Sequence, residues 1–203
     1  MEIDILPKMS RAQIHMVFIV VPRFNIATLI TMIETLRIAN YLAPTSIFSW
    51  EVASFDGSKI TASNGMTATI TTANDSLQPA EFVFILGSWG TEHYQNQRLT
   101  AWLRKRARAG ERICGVELGS YIVARAGLLD GKLATIHWSW LNGFKENFDR
   151  VEVEESLFTL DSKVMTCSGG LAGVDLMLRL IEELSGSSFS GEIADQMLHH
   201  PIR

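Results

Sequence analysis

The sequence predicts an α/β fold in which helices sandwich a doubly wound, mostly parallel sheet. Two nearly continuous apolar runs, His15–Val21 and Glu81–Leu86, are typical of parallel strands that are buried on both faces. Such runs alternate along the chain with helical patterns and short turns, which is the order of elements in a doubly wound sheet. Because ligands bind these sheets beyond the carboxyl ends of the strands, the segments that follow the strands are the candidates for a site.

The amino-terminal half is predicted to contain four strands and one long helix. The first strand ends at Pro22, and either Asn25 or Thr28 can cap a helix that runs to about Tyr41. The other strands of this half are predicted at Phe48–Phe55, Met66–Thr72 and Glu81–Leu86. The Thr-rich, alternating pattern of Met66–Thr72 indicates a short strand at the edge of the sheet.

The carboxy-terminal half continues the alternation of helices and strands. Helices are predicted at Thr91–Ala109, Ser120–Ala126, from Gly169-Gly170 to Leu184, and from about Phe189 to His199. Strands are predicted at Arg112–Val116 and Leu133–His137, followed by a short helix or loop at Trp138–Phe148. Val151–Leu160 and Lys163–Cys167 are predicted to pair as a hairpin that turns at Asp161-Ser162.

Composition limits the classes of protein to consider. The chain has 203 residues and a net charge of −4, which suits one domain at residues 13–203 after a flexible lead-in at 1–12, and gives no bulk attraction to nucleic acid. Cys114 and Cys167 fall in predicted core strands, as expected of buried thiols in the cytoplasm, and no Cys/His cluster has the spacing of a metal site. The longest apolar run is too short to span a bilayer, so we expect no membrane contact.

Residues 115 to 119 carry the most informative motif. Gly115-Val116-Glu117-Leu118-Gly119 has the spacing of a nucleophile elbow, a sharp turn from a buried strand into a helix that presents its middle residue at the top of a sheet. Hydrolases place Ser or Cys at that position, whereas this chain has Glu117. A helix amino terminus is expected to keep a carboxylate ionised, so Glu117 suits the binding of a cation or polar ligand better than covalent catalysis.

Four segments together resemble a known superfamily. They are Met32–Asn40, the elbow continued to Gly131, Ala134–Trp138, and Thr166–Gly170 with Ala172–Asp175. In order and spacing they resemble the flavodoxin-like class I glutamine amidotransferase-like superfamily in its ThiJ/PfpI branch. They are most similar to the amino-terminal sensory domain of AraC/XylS-type transcriptional regulators.

The resemblance implies roles for individual positions. Glu117 occupies the position of the catalytic cysteine, His137 that of its histidine partner, and Glu34 that of an acidic residue that leans toward the elbow. Gly87-Ser88 lies where the superfamily often has Gly-Gly in an oxyanion-type loop. The missing nucleophile argues against amidotransferase, protease or glyoxalase chemistry.

Seven residues are predicted to contact a ligand, and no catalytic residue or cofactor is expected. They are Glu34, Ser88, Trp89, Glu117, Leu118, His137 and Trp138. A carboxylate among tryptophans suits a quaternary ammonium or another cationic ligand, and the resemblance implies small nitrogenous metabolites such as betaines, carnitine or amino acids.

Plainer interpretations remain open for most of these residues. Glu117 could cap its own helix and bind nothing, and Glu34 could pair with Arg37. His137 could be structural, and one or two of Trp89, Trp138 and Trp140 could only fill the core. Cys114 and Ser120 are the alternative nucleophiles, but Cys114 is expected to point into packing and Ser120 to be a residue of the first helical turn. Near the end of the helix at Thr91–Ala109 lies a basic cluster that we interpret as a solvated face rather than a nucleic-acid patch: Arg104, Lys105, Arg106 and Arg108.

The sequence therefore predicts a non-catalytic, dimeric, metabolite-sensing domain of a transcriptional regulator. A small-molecule effector is the expected ligand, and DNA would be bound by a helix-turn-helix region expected beyond Arg203. The alternative is a ThiJ/PfpI-type hydrolase or amidotransferase-like enzyme with an atypical catalytic residue.

Overall fold

The computed structural model describes residues 13–70, 72–73, 76–161 and 163–199. The predicted lead-in at 1–12 and the end of the chain from residue 200 lie outside these ranges. The strands are β1 Ile14–Val20, β2 Phe48–Ser54, β3 Lys59–Thr61, β4 Thr67–Thr69, β5 Thr72–Ala73, β6 Phe82–Gly87, β7 Arg112–Glu117, β8 Leu133–Ala134, β9 Glu152–Val153, β10 Phe158–Thr159 and β11 Val164–Cys167. The helices are α1 Ile26–Leu42, α2 Gln97–Arg108, α3 Gly119–Arg125, α4 Leu141–Asn147, α5 Ala172–Ser185 and α6 Ser187–Gln196, with a short 3-10 helix at Trp138–Trp140.

The central sheet confirms the predicted fold class. Its seven strands have the order β10-β11-β7-β6-β1-β2-β5, and every neighbouring pair is parallel except β10 with β11. The strand β1 shows why the apolar runs predict this architecture. Met16, Phe18 and Val20 pack into one core cluster, whereas Val17 and Ile19 pack into the other. Because both faces of the strand are buried, its sequence is apolar at every position except the half-buried His15.

The helices cover the two faces of the sheet in separate sets. One core cluster contains buried residues of α1, α5 and α6, and the other contains those of α2, α3 and α4. The helix α1 begins where one of the two proposed caps predicts, because the side chain of Asn25 accepts hydrogen bonds from the backbone N–H groups of Ala27 and Thr28. None of the helices in the described ranges is long and apolar enough to cross a membrane.

The prediction that Met66–Thr72 forms one strand at the edge of the central sheet is wrong. Residues Thr67–Thr69 pair antiparallel with Lys59–Thr61 in a separate two-stranded ribbon, and the short strand β5 forms the sheet edge instead. The ribbon is attached to the segment before α1, since Arg23 donates its backbone N–H to Thr61 and Ser63 donates to Phe24. These contacts join distant segments, so alternation within one segment does not reveal them.

Three other boundaries differ from the sequence predictions. The helix α2 begins at Gln97 and not at Thr91, because the side chain of Asn96 caps it by accepting from the backbone N–H of Leu99. The helix α5 begins at Ala172, after two glycines with positive φ. The predicted hairpin is much shorter, because β9 pairs in parallel with β8 and only β10 pairs with β11.

Candidate functional site

The turn from β7 into α3 has the elbow conformation that the glycine spacing predicts. Glu117 has a φ of 55°, which side chains other than glycine rarely adopt and which is seen mostly where surrounding structure enforces it. The surroundings enforce it here by close approach. A Cβ at Gly119 would lie 1.9 Å from the carbonyl oxygen of Ile85, and one at Gly115 would lie 2.7 Å from the Cα of Ser120. Only glycine fits at these two positions.

The carboxylate of Glu117 is held by donors from two other segments. Ser88 Oγ donates to Oε1 at 2.6 Å, and Asn25 Nδ2 donates to Oε2 at 3.1 Å. The backbone of Gly170 also interacts with this carboxyl group and lowers its pKa. Glu117 is only 5% exposed, so its hydrogen bonds are made largely away from bulk water. The interpretation that Glu117 merely caps its own helix is not supported, since α3 has no side-chain cap hydrogen bond.

Burial dominates the protonation of this carboxyl group. Desolvation raises the pKa of Glu117 above its ordinary value of 4.5, while the hydrogen bonds from Ser88 and Asn25 and the nearby His137 act in the opposite direction. The net shift is thus opposite to the one expected from the helix dipole alone. The sequence revealed the helix amino terminus but not the depth at which the carboxylate is buried.

A cavity of about 790 Å³ opens above Glu117. Its lining comes from the carboxyl ends of β1, β6 and β7, from the 3-10 helix, from the connection between β9 and β10, and from the glycines that precede α5. This is the position that the rule for doubly wound sheets predicts. In the described part of the chain, no group of three or more His, Cys, Asp or Glu side chains is arranged to hold a metal ion.

Aromatic side chains and a histidine border the cavity. Trp89 and Trp138 both line it and are 59% and 69% exposed, so more than half of each side chain is open to a ligand, and the ring of Trp138 lies 5.6 Å from that of His137. Trp140 instead is half-buried and packs edge-on against Tyr121 of the core, at 6.5 Å between ring centroids. His137 lines the cavity and positions its ring through a 2.8 Å hydrogen bond between Nδ1 and Ser139 Oγ.

Two of the seven predicted ligand contacts are misplaced. Glu34 forms a surface ion pair with Arg37 at 2.7 Å and does not line the cavity. It follows Asn25 by nine residues, which is about 13 Å along a helix at 1.5 Å per residue, so its side chain cannot lean toward the elbow. Leu118 is fully buried in the core, and its backbone N–H donates to the carbonyl of Gly87. This N–H is therefore not free to donate to an oxyanion.

The alternative nucleophiles point away from the cavity. Cys114 and Cys167 are free and fully buried, and burial raises the pKa of the Cys167 thiol to about 12 and that of Cys114 well above its usual range. Ser120 is also fully buried, and its hydroxyl donates to the backbone carbonyl of Thr135. Among the described residues that line the cavity there is no cysteine.

Sequence reasoning missed several cavity residues, of which Asn25, Ser63 and Glu155 matter most to the site. Asn25 belongs to one of the segments after a strand end, Pro22 to Asn25, that the sequence marks as candidates for a site, but as a single residue it was predicted only as a helix cap. Ser63 reaches the cavity from the β3–β4 ribbon, and Glu155 reaches it from the β9–β10 connection. No local signal distinguishes these two, because their positions depend on how distant segments pack.

The basic residues near the end of α2 lie in different environments. Arg106 is buried, forms a 2.6 Å ion pair with Glu111 and lies over the ring of Trp102. Lys105 and Arg108 are exposed. One member of the cluster therefore stabilises the core while these two face solvent.

Comparison with known proteins identifies the class of this fold and site. The DJ-1/PfpI family pattern matches residues 18–183, and the chain belongs to that family. The chain is 33% identical over 186 residues to the HTH-type transcriptional regulator CdhR of Pseudomonas aeruginosa, covering 92% of this chain and 55% of that protein. It is 32% identical over 197 residues to the HTH-type transcriptional regulator GbdR of the same species, covering 97% and 54%.

The chain is also similar to an enzyme and to a solved structure. Isonitrile hydratase of Pseudomonas putida is 26% identical over 143 residues, which are 70% of this chain and 62% of that enzyme. The crystal structure of an AraC family transcriptional regulator from Pseudomonas putida has a TM-score of 0.83 at 23% identity, covering 91% of this chain and 99% of that one. The resemblance inferred from the four sequence segments is confirmed. The chain spans about half the length of the two regulators.

Proposed function

We propose that this chain is the non-catalytic, metabolite-sensing domain of a transcriptional regulator, and that it binds a small amine in the cavity above Glu117. The observation that carries the proposal is the elbow itself. At the position where the superfamily has its nucleophile, this chain holds a carboxylate with two hydrogen-bond donors, Asn25 and Ser88. A buried, hydrogen-bonded carboxylate cannot perform the covalent chemistry of a thiolate, but it can attract a positive charge.

The cavity supports a cationic ligand such as a methylated amine or an amino-acid-like metabolite. The exposed indole rings of Trp89 and Trp138 attract cations through their quadrupoles, and Glu117 adds a negative charge when it is ionised. The two regulators that the chain resembles are almost twice its length, which supports DNA binding by a separate region. We propose that the domain also pairs two protomers, as regulators of paired half-sites require.

Calorimetry and thermal shift with a ligand panel test this function. The panel contains glycine betaine, carnitine, choline, free amino acids and aliphatic amines, and a ligand raises the unfolding midpoint by mass action. Trp138→Ala should weaken a bound cation about two- to thirtyfold, which corresponds to roughly 0.5–2 kcal/mol for a cation–π contact. Trp140→Ala is the matched control, since Trp140 is half-buried against Tyr121 and does not line the cavity. A panel without any binder would contradict the proposal.

The second candidate is a ThiJ/PfpI-type enzyme, which the similarity to isonitrile hydratase favours. This candidate requires that the protein turn over a substrate although Glu117 stands where the superfamily has its nucleophile. Isonitrile, ester, amide and methylglyoxal substrates should therefore be tested with the unaltered protein and with Glu117→Ala. Turnover that is lost in Glu117→Ala would establish the enzyme and overturn the sensing proposal.

A further inference from the structure

We propose that Glu155 is a specificity-determining residue at the rim of the cavity, where it holds a second positive charge. The ligand would then be an extended dication, such as an alkyl diamine or an amino-guanidine, and not a single ammonium group or a zwitterion. This inference rests on the proposed function, because it names the ligand class of the same cavity.

The acidic groups of the cavity have no basic counterpart of permanent charge in its lining. Glu117 and Glu155 both line it, and within the described ranges no lysine or arginine side chain does. The third titratable group of the lining is His137. A ligand that carries a carboxylate would face two carboxylates with no permanently positive side chain opposite its own charge, and like charges brought together in a site cost affinity.

The two carboxylates lie at different depths. Glu117 is 5% exposed at the end of β7, at the base of the cavity, whereas Glu155 is exposed in the connection between β9 and β10. A compact ammonium group bound beside Glu117 would leave the carboxylate of Glu155 hydrated and without a contact to the ligand. An extended ligand with a cationic group at each end can pair with both carboxylates.

The size and walls of the cavity fit an extended ligand. Its volume of about 790 Å³ lies in the range of sites that enclose molecules much larger than a single ammonium group. The open indoles of Trp89 and Trp138 offer apolar area for methylene groups. Hydroxyl groups of Ser156 and Ser168 also line the cavity and can accept hydrogen bonds from ammonium protons.

Calorimetry with four probes separates the ligand classes. We expect 1,4-diaminobutane and agmatine to bind more tightly than n-butylamine, and 4-aminobutyrate to bind more weakly than n-butylamine. Glu155→Gln should lower the affinity for the two dications about two- to fivefold, which is the strength of a solvent-exposed ion pair. Glu154→Gln is the matched control, since Glu154 is the neighbouring exposed carboxylate and does not line the cavity. It should leave the affinities for the dications unchanged.

The possible failures are distinguishable. If 4-aminobutyrate binds more tightly than 1,4-diaminobutane, or if Glu155→Gln and Glu154→Gln have equal effects, the role of Glu155 is overturned while the sensing function stands. If neither these probes nor the wider panel bind, the sensing function and the role of Glu155 fail together.

Discussion

Gly169 lies directly against the side chain of Glu117. A Cβ at residue 169 would lie 2.6 Å from the Cβ of Glu117 and 2.7 Å from its Oε2, and Gly169 also has a φ of 88°. No side chain fits between the two backbones at this point. The segment before α5 therefore fixes where the carboxylate of the elbow can lie.

Gly169→Ala is expected to destabilise the protein by about 1–3 kcal/mol, because it adds a steric clash with Glu117 to backbone strain. Gly170→Ala is the matched control. Gly170 also has a positive φ of 57°, but a Cβ there would meet nothing within 4 Å, so only the strain remains. Urea unfolding of both variants gives the measurement. Equal losses in the two variants would contradict the close contact between Gly169 and Glu117.

The raised pKa of Glu117 predicts a pH dependence of stability. Between the pKa of the unfolded chain and that of the folded protein, the folded protein keeps a proton that the unfolded chain has released. This contribution is complete below the unfolded pKa and is lost as the pH rises through the folded pKa. Glu117→Gln cannot titrate, so the free energy of unfolding of the unaltered protein should fall relative to that of Glu117→Gln as the pH rises.

Urea titrations from about pH 4 to about pH 8 test this dependence. Glu154→Gln, at an exposed position, is the control for removal of a negative charge. If the unaltered protein and Glu117→Gln show parallel pH profiles, the carboxyl group of Glu117 is not desolvated as described.

Thiol reactivity distinguishes the elbow from the core strands. Cys114 and Cys167 should resist iodoacetamide in the native protein, because both are buried and burial raises the pKa of each. Glu117→Cys should add a single reactive thiol, since residue 117 lines the cavity. Mass spectrometry after timed labelling counts the modified residues.

Glu154→Cys gives the reactivity of an exposed thiol for comparison with Glu117→Cys. Rapid labelling of Cys114 in the folded, unaltered protein would contradict its placement and would favour the enzyme alternative.

A pair between a half-buried histidine and a buried carboxylate is predicted to hold α5 against the end of the described chain. His199 Nε2 lies 3.0 Å from Oδ1 of Asp175, which is fully buried in α5. His199→Ala leaves this carboxylate with one partner fewer, so we expect a loss of about 1–3 kcal/mol in the free energy of unfolding. His93→Ala is the control, because His93 is exposed and pairs only with Glu92 at the surface. A His199→Ala protein as stable as His93→Ala would show that the pair contributes nothing.

Local patterns predicted much of the fold. The apolar runs of β1 and β6 identified the buried parallel strands, and the side chain of Asn25 identified the start of α1. The start of α2 was predicted incorrectly because the apolar pattern does not show that Asn96 is the cap. The pairing of β8 with β9 and of β3 with β4 was also missed, since pairing joins segments whose separation along the chain carries no periodic signal.

The sequence by itself determined the elbow and the residue that it presents, because the spacing of Gly115 and Gly119 reflects steric limits that act within a few residues. Only the tertiary structure decided how Glu117 is held and how strongly it is desolvated. Its donors Asn25 and Ser88 lie 92 and 29 residues away along the chain, and they meet the carboxylate only when β1 and β6 pair beside each other in the sheet. The protonation of that carboxylate depends on burial, which is a property of the packed chain and not of any segment in it.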